Sequence, residues 1–271
     1  MLHCGRYTLP LSRPLIMGIV NVTPDSFSDG GRHDAASAVE HALRLIGEGA
    51  DILDIGGEST RPGALPVPLD EELRRVIPVV EALRGENIPL SVDTCKPAVM
   101  AAAIAAGAAM INDIDALQAE GALQAVAASS VAVCLMHKLG TPQTMQHAPR
   151  YEDAVTEVMA FLAARVTAAE AAGIARERLV IDPGFGFGKR LEHNIELLRH
   201  LDRFRELGVP VLAGLSNKSM LGTLTGLPVE ERLIPSVAAA VIAALKGASI
   251  LRVHDVNATR QALQVAGAVL S

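Results

Sequence analysis

The chain has 271 residues, a formal net charge of −6 and an isoelectric point near 5.8, and its basic residues are scattered along the sequence. This distribution argues against an extended nucleic-acid-binding surface, but it is compatible with a local anion site. Half of the residues are hydrophobic, Trp is absent, and the aromatic residues are five Phe and two Tyr. We therefore predict a large aliphatic core that is rich in alanine.

The cysteines and the amino-terminal residues indicate a reducing compartment. Cys4, Cys95 and Cys134 share no metal-ligand spacing, and an odd number of cysteines does not suit a disulfide framework. Residues 1–14 lack the apolar core of a signal peptide, and the charge-free stretch 97–112 is too short to cross a membrane. We expect a cytoplasmic protein with no membrane contact.

Eight short apolar runs recur along the chain, and each is followed by a loop and a helical pattern. The runs are residues 14–20, 51–56, 89–94, 109–113, 131–137, 178–183, 210–216 and 249–254. Their near-continuous hydrophobicity is typical of parallel strands that are covered on both faces. The clearest helical segments are residues 70–84, 151–172, 191–207, 235–247 and 258–270.

Eight strand–helix repeats in a chain of this length predict an α/β protein with a (β/α)8 TIM-barrel fold, forming a single domain over residues 1–271. A doubly wound open sheet is the alternative, because it also alternates strands and helices. That fold usually has fewer strands at this length and often carries a glycine fingerprint after the first strand. Here "NVTPD" follows the first run, so we favour the barrel.

Polar residues stand at or near the end of every predicted strand. They are Asn21, Asp54, Asp93, Asn112 with Asp113, His137, Asp182, Ser216 and His254. One such residue alone could simply cap the next helix, but all eight runs carry one. Because the carboxyl ends of barrel strands form the active-site face, we predict the site there. The long loop "NVTPDSFSDGG" (21–31) would border it.

Two motifs indicate what this site binds. Arg252 and His254 are two positions apart on the last strand, so they face the same side and suit a phosphate group. The alternative is an ion pair between Arg252 and Asp255 or another carboxylate. In "IDPGFGFGK" (181–189) the Walker spacing fails, and Asp182 near two Phe residues suits a flat heterocycle with N–H donors. The alternative is a glycine-rich turn packed into the barrel mouth.

Two further features concern a second substrate and a metal. Arg61 in "DIGGESTRPG" (54–63) could bind a carboxylate, or it could simply face solvent. The histidines and cysteines show no zinc-type spacing. Asn21 offers an oxygen ligand beside the predicted phosphate position, which would suit Mg²⁺.

Seven stretches together resemble the motifs of dihydropteroate synthases, in order and along essentially the whole chain. They are "MGIVNVTPDSFSDGG", "DIGGESTRPGA", "SVDT", "IND", "IDPGFGFGK", "NKS" and "RVHDV". The resemblance implies a barrel enzyme that joins 6-hydroxymethyl-7,8-dihydropterin diphosphate to 4-aminobenzoate with Mg²⁺. The products would be 7,8-dihydropteroate and diphosphate, in folate biosynthesis. It also implies a homodimer, for which helices 235–247 and 258–270 are candidates.

The same resemblance implies roles for individual residues. The pterin would be bound by Asp93, Asn112, Met136, Asp182, Phe187, Gly214 and Lys218. The diphosphate and its Mg²⁺ would be held by Asn21, Arg252 and His254, with Asn21 as the metal ligand. The aminobenzoate would meet Thr60, Arg61 and Ser216. Asn21, Lys218, Arg252 and His254 would act in catalysis.

Two residues depart from the family pattern, and two other functions compete with this interpretation. Asn217 stands where an Arg is usual, and Asp115 stands where a basic or neutral residue is common. A methyltetrahydrofolate methyltransferase barrel would share the pterin carboxylates but would not need a diphosphate site. A catalytically silent barrel that binds pterin as a regulator is the second alternative.

Overall fold

The computed structural model of the protein describes residues 1–22, 32–59, 63–141 and 143–270. The chain begins with an antiparallel hairpin of strands β1 (Leu2–Cys4) and β2 (Tyr7–Leu9). The apolar patterns of the sequence did not predict this hairpin, because each strand has only three residues.

Within the described ranges, eight further strands form one parallel sheet. They are β3 (Leu15–Asn21), β4 (Ile52–Gly56), β5 (Leu90–Asp93), β6 (Met110–Asp113), β7 (Ala132–Met136), β8 (Leu179–Asp182), β9 (Leu212–Ala213) and β10 (Ile250–Val253). Their order is β8-β7-β6-β5-β4-β3-β10-β9. The two outer strands meet at a parallel bridge between Ile181 and Val211, so the sheet closes on itself. The predicted barrel is confirmed, and the open sheet is excluded.

Side chains along each strand alternate between the barrel interior and the helical layer. In β4, Ile52 belongs to the apolar cluster inside the barrel, whereas Leu53 packs in the outer core with the helices. Leu2 and Cys4 of the hairpin are fully buried in the same interior cluster, against residues from the beginnings of the strands. The hairpin therefore closes the amino-terminal end of the barrel and leaves the carboxyl end for polar residues.

Helices connect the strands on the outside of the barrel. Those in the described ranges are α1 (Arg32–Glu48), α2 (Leu69–Leu83), α3 (Pro97–Ala106), α4 (Ala122–Ala127), α5 (Ala154–Ala171), α6 (Leu191–Arg199), α7 (Ser219–Thr225), α8 (Leu233–Leu245) and α9 (Val256–Leu270). Of these helices, none combines the length and the apolar character that crossing a membrane would require.

Four of the five predicted helical segments correspond to single α-helices, but the segment 191–207 is divided. Helix α6 ends at Arg199, and a 3₁₀ helix follows over Leu201–Leu207. In a 3₁₀ helix, residues three positions apart share a face. Leu201 and Phe204 are both fully buried, so the tighter winding turns both side chains into the core.

Candidate active site

A buried ion-pair network lies inside the barrel near the carboxyl ends of the strands. Arg252 donates from Nε to Asp54 Oδ2 at 2.6 Å and from Nη2 to Asp93 Oδ2 at 2.9 Å. Asn112 Nδ2 donates to the same Asp54 oxygen at 3.1 Å. Asp54 is fully buried, and Asp93 is nearly so. Arg252 therefore forms ion pairs with carboxylates, which was the alternative to phosphate binding that the sequence left open.

In this network the guanidinium of Arg252 binds two carboxyl groups, and these neighbours determine its protonation state. Burial raises the pKa of Asp93 to about 7, although the charge of Arg252 acts in the opposite direction. Burial also acts to lower the pKa of Arg252, but Asp54 and Asp93 outweigh it and raise that pKa. Arg252 therefore stays cationic, with its guanidinium oriented by the carboxyl groups of Asp54 and Asp93.

The second polar feature stands at the end of β8. Asp182 is buried, and its Oδ1 accepts a hydrogen bond from the Gly184 N–H at 2.7 Å. Lys218 lies across the pocket, with Nζ 4.1 Å from the centre of the Phe187 ring. Burial raises the pKa of Asp182, whereas this hydrogen bond and Lys218 lower it. A buried carboxylate near an ammonium can accept hydrogen bonds from the N–H donors of a flat ligand.

Apolar side chains form a wall beside these charged groups. The small cluster consists of Ile114, Met136, Met145 and Phe187, with Cys95 packed against it. Phe185, which the sequence grouped with Phe187, is instead buried in the outer core among the helices. Of these two rings, Phe187 is the one that contributes an aromatic face to the pocket, because the tight glycine turn sends the two rings to opposite sides.

Two of the three predicted anion-binding residues, at the ends of β3 and β10, border a cavity. Asn21 and His254 both line a cavity of about 600 Å³, together with residues of α1 such as His41 and Arg44. Ser216 Oγ lies 2.9 Å from His254 Nδ1, which links the ends of β9 and β10. Gly214 lies beside Arg252, where a Cβ atom would come within 3.9 Å of the Arg252 Cβ.

Not every predicted residue can be placed in the site. Thr60 and Arg61 lie outside the described residues, and so does most of the loop 21–31. Asp113 and His137 end strands but serve the scaffold. The Asp113 carboxylate accepts the backbone N–H groups of Asp115 and Leu117, each at 2.7 Å, on the side of β6 opposite Asn112.

Three residues of the site were not predicted from the sequence. Asp54 was noted only as a strand end, yet it anchors both Arg252 and Asn112. Met145 comes from the loop after β7, which carried no recognised motif, and Ile114 follows the "IND" stretch. The signal that could have identified Asp54 is its position inside an apolar strand, since a buried carboxylate needs a cation or hydrogen-bond donors as partners.

Both departures from the family pattern have local partners. Asp115 forms an ion pair with Lys138 at 2.6 Å, joining the loops after β6 and β7. Asn217 has a left-handed backbone with φ of 58°, and its Oδ1 accepts a hydrogen bond from Ser236 Oγ at 3.2 Å. Asn tolerates this conformation better than most residues. Its side chain contacts α8 and serves the packing of the loop.

We therefore expect Asn217→Ala to lower the free energy of unfolding by about 1–2 kcal/mol, because Ala is strained at positive φ and loses the bond to Ser236. Pterin affinity should not change. Urea unfolding would measure the free energy of unfolding, and titration calorimetry would measure the pterin affinity. Asn217→Gly is the matched control, since it removes the side chain but keeps the backbone conformation unstrained. A large loss of pterin affinity in both variants would contradict this assignment.

Asn21, the predicted metal ligand, is compatible with Mg²⁺, but it does not provide a complete set of protein ligands. Among the described residues, no group of three or more His, Cys, Asp or Glu side chains could hold a metal ion. Asn21 supplies an amide in the cavity that it shares with His254. Mg²⁺ is commonly bound by one or two protein oxygens together with substrate phosphates and water, so this donor set fits that ion.

Known proteins that resemble this chain include pterin-binding enzymes of known sequence and structure. A family model described as pterin binding enzyme matches residues 17–254. Dihydropteroate synthase of Escherichia coli is 52% identical, with 97% of this chain and 94% of that protein covered. Dihydropteroate synthase of Xanthomonas albilineans, solved with 4-aminobenzoic acid, is 60% identical with a TM-score of 0.92, covering 97% and 95% of the two chains. The Burkholderia cenocepacia enzyme complexed with 7,8-dihydropteroate is 55% identical with a TM-score of 0.91, covering 99% and 95%.

Proposed function

This chain belongs to the dihydropteroate synthase family, and from that premise we propose how its residues carry out the reaction of the family. The protein is a transferase of folate biosynthesis. It joins the pterinylmethyl group of 6-hydroxymethyl-7,8-dihydropterin diphosphate to 4-aminobenzoate and releases diphosphate. The observation that carries the residue assignment is the buried Asp182 near Lys218, whose ammonium lies over the Phe187 ring, at the carboxyl end of the barrel.

The pterin ring would lie between Asp182 and the apolar wall. Asp182 accepts hydrogen bonds from the ring N–H and the 2-amino group, while Lys218 donates to the oxygen or nitrogen edge. Phe187 and Met136 pack on the ring faces, a role supported by their shared cluster. Asp93 and Asn112 would complete the pocket from β5 and β6. Because the Asp182 carboxylate accepts hydrogen bonds, the ligand must carry N–H donors along one edge, as a pterin ring does.

The diphosphate would bind beside Arg252, His254 and Asn21. Arg252 already has two carboxylate partners, so the approaching anion shares a guanidinium whose direction is fixed in advance. Preorganised cations of this kind stabilise the charge that develops on a leaving group. Diphosphate departs first, and the electron-rich pterin carries the positive charge left on its methylene carbon. The amine of 4-aminobenzoate, held by Thr60, Arg61 and Ser216, then attacks that carbon, and the new C–N bond is completed by loss of one proton from the amine nitrogen.

Asn21 would hold Mg²⁺ together with the diphosphate oxygens. Mg²⁺ when bound supplies additional stabilisation of the negative charge on the leaving diphosphate. We expect Mg²⁺ to increase the affinity of the protein for free diphosphate, and Asn21→Ala to reduce that increase. Titration calorimetry with and without Mg²⁺ measures this without turnover. Equal enhancement in both proteins would exclude Asn21 as the metal ligand.

The experiment that tests the function is a direct assay. The purified protein is incubated with dihydropterin diphosphate, labelled 4-aminobenzoate and Mg²⁺, and labelled dihydropteroate is followed. Product that depends on all three components supports the proposed reaction. Tight pterin binding without product would favour the catalytically silent barrel. Failure to bind free diphosphate would favour the methyltransferase type, which has no need of that site.

We also propose a homodimer in the cytoplasm, with residues 1–271 as one domain. Large apolar side chains are exposed along α8 and α9, including Ile234 at 80%, Val265 at 68% and Val269 at 78%. Exposed apolar surface of this kind marks an interface between proteins. Light scattering should give twice the 28.4 kDa mass of the chain. A monomeric mass would refute the dimer.

A further inference from the structure

Lys189 is a buried lysine for which the proposed reaction has no direct use. It is only 3% exposed. Its Nζ donates to the carbonyl oxygens of Gly184 at 2.9 Å, Phe187 at 3.1 Å and His137 at 3.3 Å. His137 Nδ1 lies 2.9 Å away as a fourth neighbour. An amine that is surrounded by acceptors in this way acts as an internal clamp on the turn 184–188.

The protonation of the clamp follows from its partners. Burial lowers the pKa of His137 to about 3, so the imidazole is neutral and its Nδ1 accepts a hydrogen bond from Lys189. Burial also lowers the pKa of Lys189 to about 7, although Asp182 opposes this shift. Below neutral pH, Lys189 is therefore an ammonium whose three N–H donors are shared among three carbonyl oxygens and His137 Nδ1, so that at least one of these bonds is bifurcated.

The turn that Lys189 holds has little freedom to adopt another backbone path. Gly184, Gly186 and Gly188 have φ values of 71°, 83° and 65°. A Cβ on Gly184 would lie 1.9 Å from the carbonyl oxygen of His137. Asn194 Oδ1 also accepts the Gly186 N–H at 2.7 Å. Glycine adopts positive φ without strain and has no Cβ atom to obstruct the close contact, so the turn packs directly on the end of β7.

Both pterin contacts at this side of the pocket depend on the turn. The Gly184 N–H binds Asp182 Oδ1, and Phe187 carries the ring that lies near Lys218 Nζ. The charge of Lys189 also favours the ionised form of Asp182. In the part of the chain that the structure describes, the other charged or titratable groups around this pair are Cys134, His137, Tyr151, His193, Lys218 and Arg252.

We propose that Lys189 is a positioning residue for pterin recognition, which holds the Gly184–Phe187 turn in place without touching the substrate. This inference rests on the proposed function, because it assumes that the pterin occupies the Asp182 pocket. Lys189 affects the binding of the pterin substrate alone. Binding of 4-aminobenzoate, assigned to Thr60, Arg61 and Ser216, should not change when Lys189 is replaced.

The test is Lys189→Met, which keeps the length and apolar stem but removes the ammonium. We expect the Kd and KM for dihydropterin diphosphate to rise about tenfold, with the KM for 4-aminobenzoate unchanged. The acid-side loss of pterin binding should also move to higher pH. Asp182 loses a neighbouring cation that lowers its pKa, so it becomes protonated earlier as the pH falls. A purely structural role for Lys189 would not move this midpoint.

Two comparisons make the result decisive. Lys246→Met removes an ammonium just after α8, outside the site, and should leave both KM values and the acid midpoint unchanged. Asn194→Ala loosens the same turn without removing a charge, so it should raise the pterin Kd and leave the midpoint unchanged. Unchanged pterin affinity and midpoint in Lys189→Met would overturn the inference. If Lys189→Met does not fold, unchanged affinity in Asn194→Ala overturns it. Failure of the unaltered protein to bind dihydropterin diphosphate would instead refute the proposed function.

Discussion

Asp182→Asn is expected to weaken binding of dihydropterin diphosphate by roughly 100-fold, because charge-assisted hydrogen bonds are worth about 1.5–3 kcal/mol each. The substitution keeps the shape of the side chain and one oxygen to accept the Gly184 N–H. It replaces the other oxygen by an NH₂ group, which would face the N–H donors of the pterin. Calorimetry at neutral pH measures the loss directly.

The stability of Asp182→Asn should be close to that of the unaltered protein. Burial raises the pKa of Asp182, which means that the folded protein disfavours the charged form. A neutral amide removes that penalty. Asp113→Asn is the matched control, because Asp113 is also a buried carboxylate at a strand end but accepts two backbone N–H groups away from the pocket. It should lower stability and spare pterin affinity. An unchanged pterin Kd in Asp182→Asn would mean that the pterin binds elsewhere.

Arg252→Met is expected to lower kcat/KM for the diphosphate substrate by roughly 1000-fold, since one preorganised donor to a developing anion is worth about 100- to 1000-fold in rate. The structure adds a second effect. Asp54 and Asp93 would lose their shared cation, and removing one partner of a buried ion pair costs about 3–5 kcal/mol of stability. Activity and stability should therefore fall together, and denaturant unfolding measured alongside the kinetics would show this.

A double variant separates the two effects. Adding Asp54→Asn to Arg252→Met removes one of the two unpaired carboxylates, and Asn112 can still contact the amide oxygen. Stability should recover in large part, whereas kcat/KM should stay low because the cation is still missing. Free diphosphate should bind weakly to both variants. Recovery of turnover together with stability would show that Arg252 only supports the fold.

The barrel could be predicted from the sequence because its determinants are local. A parallel strand covered on both faces is a continuous apolar run, and this pattern is readable within a few residues. The run 131–137 and the observed strand Ala132–Met136 illustrate how closely the two agree. The polar residue that ends each run also indicated which end of the barrel carries the site, because every strand of this fold points the same way.

Contacts between distant strands were decided by the tertiary structure. Asp54 and Asp93 are 198 and 159 residues away from Arg252, and no local pattern connects them. They meet only because barrel closure turns three inward positions towards one another. The sequence could list carboxylates as possible partners of Arg252, but it could not choose these two.

The direction of each strand-end side chain was also a tertiary outcome. Asn112 and Asp113 are adjacent at the end of β6, yet one enters the interior network and the other holds the following loop. Lys189 is the last residue of the motif 181–189, whose glycines indicated a turn. It is buried against His137, which follows the neighbouring strand β7. Sequence alone determined the repeating units, the polar ends of the strands and the family motifs, because these are encoded in short segments. The pairing of charges depended on closure of the barrel, since only closure brings remote segments into contact and excludes water from between them.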